Sequence, residues 1–148
     1  MTTAYLAAPE TKTVQTFSGD AREVGAVRQF VGRALAGCPA RERLLACVSE
    51  LAANAVEHTG SGTGGTFTVA VGQPRKGVAF VAVTDEGGPG EPSVGQAGPF
   101  AETGRGLALV AAYSSRWGYR DTGHGHIVWA EAIWPDPHAN ADARSGVA

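Results

Sequence analysis

Glu50 and Asn54 lie four residues apart in a segment whose apolar positions, Leu44, Leu45, Val48, Leu51, Ala52, Ala55 and Val56, recur at helical spacing. At about 100° per residue, that separation puts both polar side chains on one helix face, roughly one turn apart. The amide oxygen of Asn54 is a hard donor of the kind Mg2+ takes, and this ion commonly accepts only one or two protein groups beside water and nucleotide phosphates. A carboxylate one turn away, at Glu50, is then placed to orient or deprotonate a hydroxyl or water attacking a terminal phosphate. Two polar residues on a solvated helix face could equally serve solubility alone, so the downstream segments decide between the readings.

Two glycine-bearing segments follow. Asp85 ends the apolar run Val78 to Val83 and opens Asp85-Glu86-Gly87-Gly88-Pro89-Gly90. A carboxylate there can accept from an exocyclic amine such as adenine's, and Gly87 lets backbone approach a flat ring with no Cβ in the way, although Asp and Gly are also ordinary turn residues. Farther on, Thr103-Gly104-Arg105-Gly106 leads directly into Leu107-Ala108-Leu109-Val110. With Thr103 as N-cap, the free N–H groups of a helix start, two glycines and an arginine form a cradle for phosphates. Glycines inside a helix cost about 0.8–1.0 kcal/mol each relative to alanine, so a bound anion is a natural compensation.

Other motifs carry less. Gly60-Ser61-Gly62-Thr63-Gly64-Gly65 satisfies G-x-G-x-x-G, but a helical pattern precedes it and a strand pattern follows, the reverse of the dinucleotide-binding arrangement. His124 and His126 flank a glycine with no nearby cysteine, which does not make a metal site. Cys38 and Cys47 fit neither a CxxC nor a zinc spacing and read as small buried hydrophobes.

These residues need a scaffold, and the patterns supply one. Val14 to Phe17 suggests a short strand. Ser18-Gly19-Asp20 offers N-cap chemistry before Val24, Val27, Val31 and Leu35, and Gly37 closes that helix. Pro39 falls where a first-turn proline is tolerated ahead of a second helix running to about His58. Phe67, Val69 and Val71 alternate with polar or small residues as a strand with one buried face. Pro74-Arg75-Lys76-Gly77 is a hairpin connection, and the run to Val83 is a strand buried on both sides. Residues Glu86 to Glu102 make a long Gly- and Pro-rich loop, Leu107 to Tyr113 a third helix, and Trp117 to Asp121 with Ile127 to Trp134 a final hairpin. The order β-α-α-β-β-α-β-β predicts an α+β fold, a two-layer sandwich of mixed sheet with helices on one face. Residues 1–12 and 135–148 read as flexible tails around a single domain, 13–134.

Composition bounds the function. The 148 residues are 43% hydrophobic and 18% charged with a formal net charge of −2, which suits one ordinary globular domain and carries no electrostatic footprint for nucleic acid. No apolar run approaches a membrane span and the first residues lack a signal-peptide pattern, so no membrane association and a cytoplasmic location are expected.

Taken together, the segment Glu50 to His58, Asp85-x-Gly87 and Thr103 to Leu107 resemble, in order and spacing, the three nucleotide-binding boxes of the histidine-kinase-like ATPase (GHKL) superfamily. Within it, the chain is most similar to the single-domain anti-sigma-factor serine/threonine kinases of actinomycete type, over about Phe17 to Trp134. The resemblance implies a Bergerat-type ATP-binding fold with ATP and Mg2+ as ligands. It also implies Asn54 on the metal, Glu50 as catalytic base, Asp85 on the adenine amine, Gly87 beneath the ring, and Thr103, Gly104, Arg105, Gly106 and Leu107 around the phosphates. Its implied function is an anti-sigma-factor kinase that phosphorylates an antagonist protein in a partner-switching system, the alternative being a nucleotide-responsive binding module with negligible catalysis. The implied partners are a sigma factor and an antagonist protein, with homodimerisation also open. Pro89 replaces the last glycine of the usual D-x-G-x-G, and His126-Ile127 stands where many relatives have Lys-Thr.

Overall fold

The computed structural model describes residues 12–58, 64–86 and 104–135. Strand β1, Lys12–Ser18, leads through a short 3-10 turn, Ala21–Glu23, into helix α1, Val24–Ala34. Asp20 caps that turn: its carboxylate accepts from the Arg22 backbone N–H at 2.9 Å and pairs with the Arg22 guanidinium at 2.8 Å. Those two bonds hold the carboxyl down to about 2. Gly37, at φ 78°, turns the chain out of α1 through a conformation that side-chain-bearing residues rarely adopt.

Helix α2 spans Arg41–His58, so Pro39 lies two residues before it and not in its first turn. Strands β2, Thr66–Arg75, and β3, Val78–Thr84, form a hairpin. Helix α3, Gly104–Tyr113, begins three residues earlier than the apolar pattern suggested, and β4, Arg116–Asp121, and β5, His126–Ile133, form the last hairpin.

The sheet order is β1-β2-β3-β5-β4 and every neighbouring pair is antiparallel, which corrects the expected mixed sheet. After β3 the chain crosses through α3 to the far edge, lays down β4 parallel to β3, and returns as β5 between the two. The strand that would have made a parallel pair is thereby never a neighbour of β3.

The helices cover one face. Val27 and Val31 of α1 with Leu35 at its C-cap, Leu44, Val48 and Leu51 of α2, and Val110 of α3 pack on Phe17, Phe67, Val69, Val71, Val81, Val83 and Val128. The other face carries a smaller cluster of Val78, Phe80 and Ala82, flanked by Trp129. Trp129 lies over Gly118 of β4, where an added Cβ would come within 2.7 Å of its ring, so the indole needs glycine beneath it. No helix among the described residues is long and apolar enough to cross a membrane.

Cys38 and Cys47 are free and buried, as their spacing suggested. Burial pushes the Cys47 thiol up to about 11 from 9.0. Because the thiolate is the nucleophile, both cysteines should resist a chromogenic disulfide reagent at pH 8 until denaturant is added; rapid labelling of the native protein would contradict this burial. The unfolded chain releases the Cys47 proton near its ordinary value while the fold retains it. This contribution to stability is therefore present below about pH 9 and lost as pH rises towards 11.

Candidate functional site

Chain connectivity brings the chemistry-bearing residues to one end of the sandwich. Thr66 opens β2 opposite Ser18, Thr84 pairs with both Thr68 and Ile127, and Asp85 follows Thr84 directly. The C-terminal turn of α2 therefore ends near the start of β2, the end of β3 and the start of β5. Helix α3 joins β4 through Ser114 and Ser115 at the opposite end, so its N-terminus points back to the Asp85 end.

Contacts between α2 and α3 fix how these helices line up. Arg43 donates from Nε to the Tyr113 carbonyl at 2.8 Å, and Cys47 Sγ lies 3.9 Å from the Val110 carbonyl. The two helices run antiparallel and each rises about 1.5 Å per residue. The same register, continued, sets Asn54 a residue or two ahead of the start of α3 at Gly104. The first-turn N–H groups of Gly104, Arg105 and Gly106 have no carbonyl four residues back within the helix, and they concentrate the positive end of its dipole at this point.

Asn54 is only 5% exposed, which corrects the expectation of a solvated helix face. The sequence pattern marks α2's stripe towards the sheet but carries no sign that α3 will pack beside α2 at Arg43 and Cys47. Buried in this way, the Asn54 Nδ2 has no hydrogen-bond partner among the described residues. Such a group costs about 1–3 kcal/mol unless something satisfies it. Rotation of the carboxamide presents its oxygen in place of its nitrogen, so this side chain can serve either a metal ion or a phosphate oxygen. Glu50, one turn back on α2, is half-buried.

Asp85 is 8% exposed and held by β5 from two directions. Its backbone N–H donates to the His126 carbonyl at 2.9 Å, and its Oδ1 accepts from the His126 N–H at 3.0 Å. The His126 imidazole Nδ1 is 3.5 Å from the same oxygen. A carboxylate has about four acceptor sites, so this anchoring aims Asp85 without exhausting it. The next residue, Glu86, accepts from Thr66 Oγ1 at 3.0 Å, tying the exit of β3 to the entry of β2.

Asn54, Asp85 and the first turn of α3 are thus brought to one end of the fold, with Glu50 a turn deeper on the same helix. Leu107 is half-buried and packs against the core. Gly87, Pro89 and Thr103 lie outside the described residues, as do the long loop beyond Glu86 and residues 1–11 and 136–148 of the expected tails; Lys12, expected in the first tail, begins β1.

Two positioning residues escaped sequence reasoning. His126 and Arg43 act across separations of 41 and 70 residues, and no local pattern signals either.

The sequence model of a family described as the histidine kinase-like ATPase domain matches residues 17–132. A search of curated proteins finds no match to the chain.

Proposed function

Given that the chain belongs to the histidine kinase-like ATPase family, we propose that it is an ATP-dependent protein serine/threonine kinase that binds a sigma factor and phosphorylates an antagonist protein. The observation that carries the nucleotide site is the buried Asn54 Nδ2, without a hydrogen-bond partner among the described residues, near the N-terminus of α3.

Each residue has a distinct task. Asn54 would hold Mg2+ through its carboxamide oxygen. The first-turn amides of α3 bind phosphate oxygens that the helix dipole favours, and the glycines keep that approach open. Asp85, fixed by His126, accepts from the amino group of adenine. Glu50 takes the proton of the attacking hydroxyl, which the antagonist protein brings. Mg2+, when bound, supplies positive charge against the phosphate oxygens during transfer. The order of the three segments along the chain supports the ATP-binding family, and the resemblance to single-domain anti-sigma-factor kinases supports the kinase assignment and its sigma-factor and antagonist partners.

Calorimetric titration with Mg-ATP and Mg-GTP tests the site. Wild-type protein should bind Mg-ATP, and Asn54→Ala should lose most of the Mg2+-dependent affinity. Its melting temperature should change little, because removing an unsatisfied buried group sacrifices no bond at Nδ2. GTP presents a carbonyl where ATP presents an amine, and an acceptor facing an acceptor costs about 1–3 kcal/mol, so GTP should bind roughly tenfold to a hundredfold more weakly. Unchanged Mg2+-dependent binding in Asn54→Ala would remove the metal role. Equal ATP and GTP affinities would remove the adenine role of Asp85.

A further inference from the structure

The two edges of the sheet are built differently. β4 is six residues long and carries Arg116, Arg120, Asp121 and Gly118, the charges and glycine that discourage strand pairing. β1 is seven residues long, has no proline, and pairs with β2 from Lys12 to Ser18 without a bulge. From Thr13 to Ser18 it has no charged side chain, and Val14 is 51% exposed. Among the described residues no strand pairs with its outer edge.

The hydrogen-bonding phase shows which groups that edge offers. Gly19 donates to the Gly65 carbonyl at 2.9 Å, and Phe17, Gln15 and Thr13 pair with Phe67, Val69 and Val71 in the same phase. Their backbone groups therefore face β2, while the N–H and C=O of Val14 and Thr16 point away from the sheet.

Beside this edge lies a cleft of about 420 Å³ between β1 and α1, lined by Thr13 and Gln15 from the strand and by Ala26, Gln29, Phe30 and Arg33 from the helix. The Phe30 ring is anchored edge-on against Phe17, with centroids 5.8 Å apart, and forms the apolar floor. α1 runs back along β1, so Arg33 sits at the Lys12–Thr13 end. Neither the Arg33 guanidinium nor the Lys12 ammonium makes a hydrogen bond or ion pair among the described residues.

We infer that β1 is a docking edge for an extended segment of a partner protein, which adds as a strand and places alternate side chains in the β1–α1 cleft, an acidic one facing Arg33 and Lys12. Backbone pairing with Val14 and Thr16 supplies affinity, and the cleft supplies selectivity. A second copy of β1 is a poorer occupant, since Lys12–Ser18 contains no acidic residue to meet the two cations. The inference does not depend on nucleotide binding, because Arg33 and Lys12 sit at the end of β1 away from Ser18, which is the end that faces Thr66 and Glu86.

The probe is a labelled, end-capped heptapeptide, Thr-Val-Thr-Val-Thr-Glu-Thr. In antiparallel addition its two valines and glutamate face the cleft, and the glutamate falls opposite Thr13. Fluorescence anisotropy with the full chain, without nucleotide, should show saturable binding that weakens with salt. Replacing the glutamate by lysine should weaken it about fivefold to tenfold, and Arg33→Glu should reverse that preference. Val14→Pro removes an outward N–H and no ladder bond, so it should abolish binding while the fold persists. Should that variant fail to fold, methylating the peptide amides that face β1 must abolish binding to the wild-type chain. No saturable binding, indifference to peptide N-methylation, or no charge preference would overturn the inference. So would dimerisation in ultracentrifugation that Val14→Pro abolishes, which would assign the edge to a second copy.

Discussion

Glu50→Gln should bind Mg-ATP nearly as wild type does, yet transfer phosphate to an antagonist serine or threonine at least about a hundredfold more slowly. A general base typically contributes 10²–10⁴-fold, and the amide has nearly the shape of the carboxylate without its basicity. The folded structure should tolerate the change, because Glu50 is half-buried on α2 and the helix packs through Leu44, Val48 and Leu51 on its other stripe. Hydrolysis of ATP by the isolated protein should be slow in both forms, since the attacking hydroxyl belongs to the partner. The assay incubates the protein with labelled ATP and candidate small antagonist proteins. A loss of rate with retained affinity identifies the base. Equal rates in both proteins would remove Glu50 from the chemistry. If no candidate is labelled while a sigma-factor complex forms and responds to nucleotide, the kinase reading gives way to that of a nucleotide-responsive binding module.

Arg116→Ala should destabilise the fold by about 1–3 kcal/mol, less than for a fully buried ion pair because the Arg116 side chain is one-third exposed while Glu131 is buried. Glu131 is completely buried on β5. Arg116, directly across on β4, donates to its Oε1 from Nε at 2.9 Å and from Nη2 at 2.5 Å. Both residues lie on the sheet face away from the helices, beside Phe80 of β3, which pairs with Glu131. Without the guanidinium, a carboxylate stays in an apolar setting with its strongest compensation gone. The double variant Arg116→Met/Glu131→Leu separates the two contributions, because replacing a buried pair by apolar groups of similar size is often neutral or stabilising. Urea denaturation midpoints should therefore fall sharply in the single variant and recover in the double. An Arg116→Ala protein as stable as wild type would show that this pair contributes nothing to the fold.

Some of this protein is determined by the sequence alone. The helices and strands are local: Val24, Val27, Val31 and Leu35 can share a face only in a helix, and Phe67, Val69 and Val71 only in a strand. Asp20 and Gly37 act on their own neighbours, so the element order and the helix-on-sheet layering follow from short-range chemistry. The three glycine and acidic segments are likewise linear, and so is the family they mark. Tertiary structure decided what depends on distant residues meeting. The sheet is antiparallel throughout because β5 returns between β3 and β4, a choice of strand order that no periodicity encodes. Asn54 is buried in the folded chain although its neighbours on α2 carry no sign of it, and α2 is aligned with α3 by Cys47 meeting Val110, sixty-three residues later. Asp85 is aimed by the backbone of His126, and Glu131 is neutralised by Arg116 across a hairpin. Each of these is a hydrogen bond or a burial between segments whose separation along the chain leaves no periodic trace, so only the folded packing could supply it.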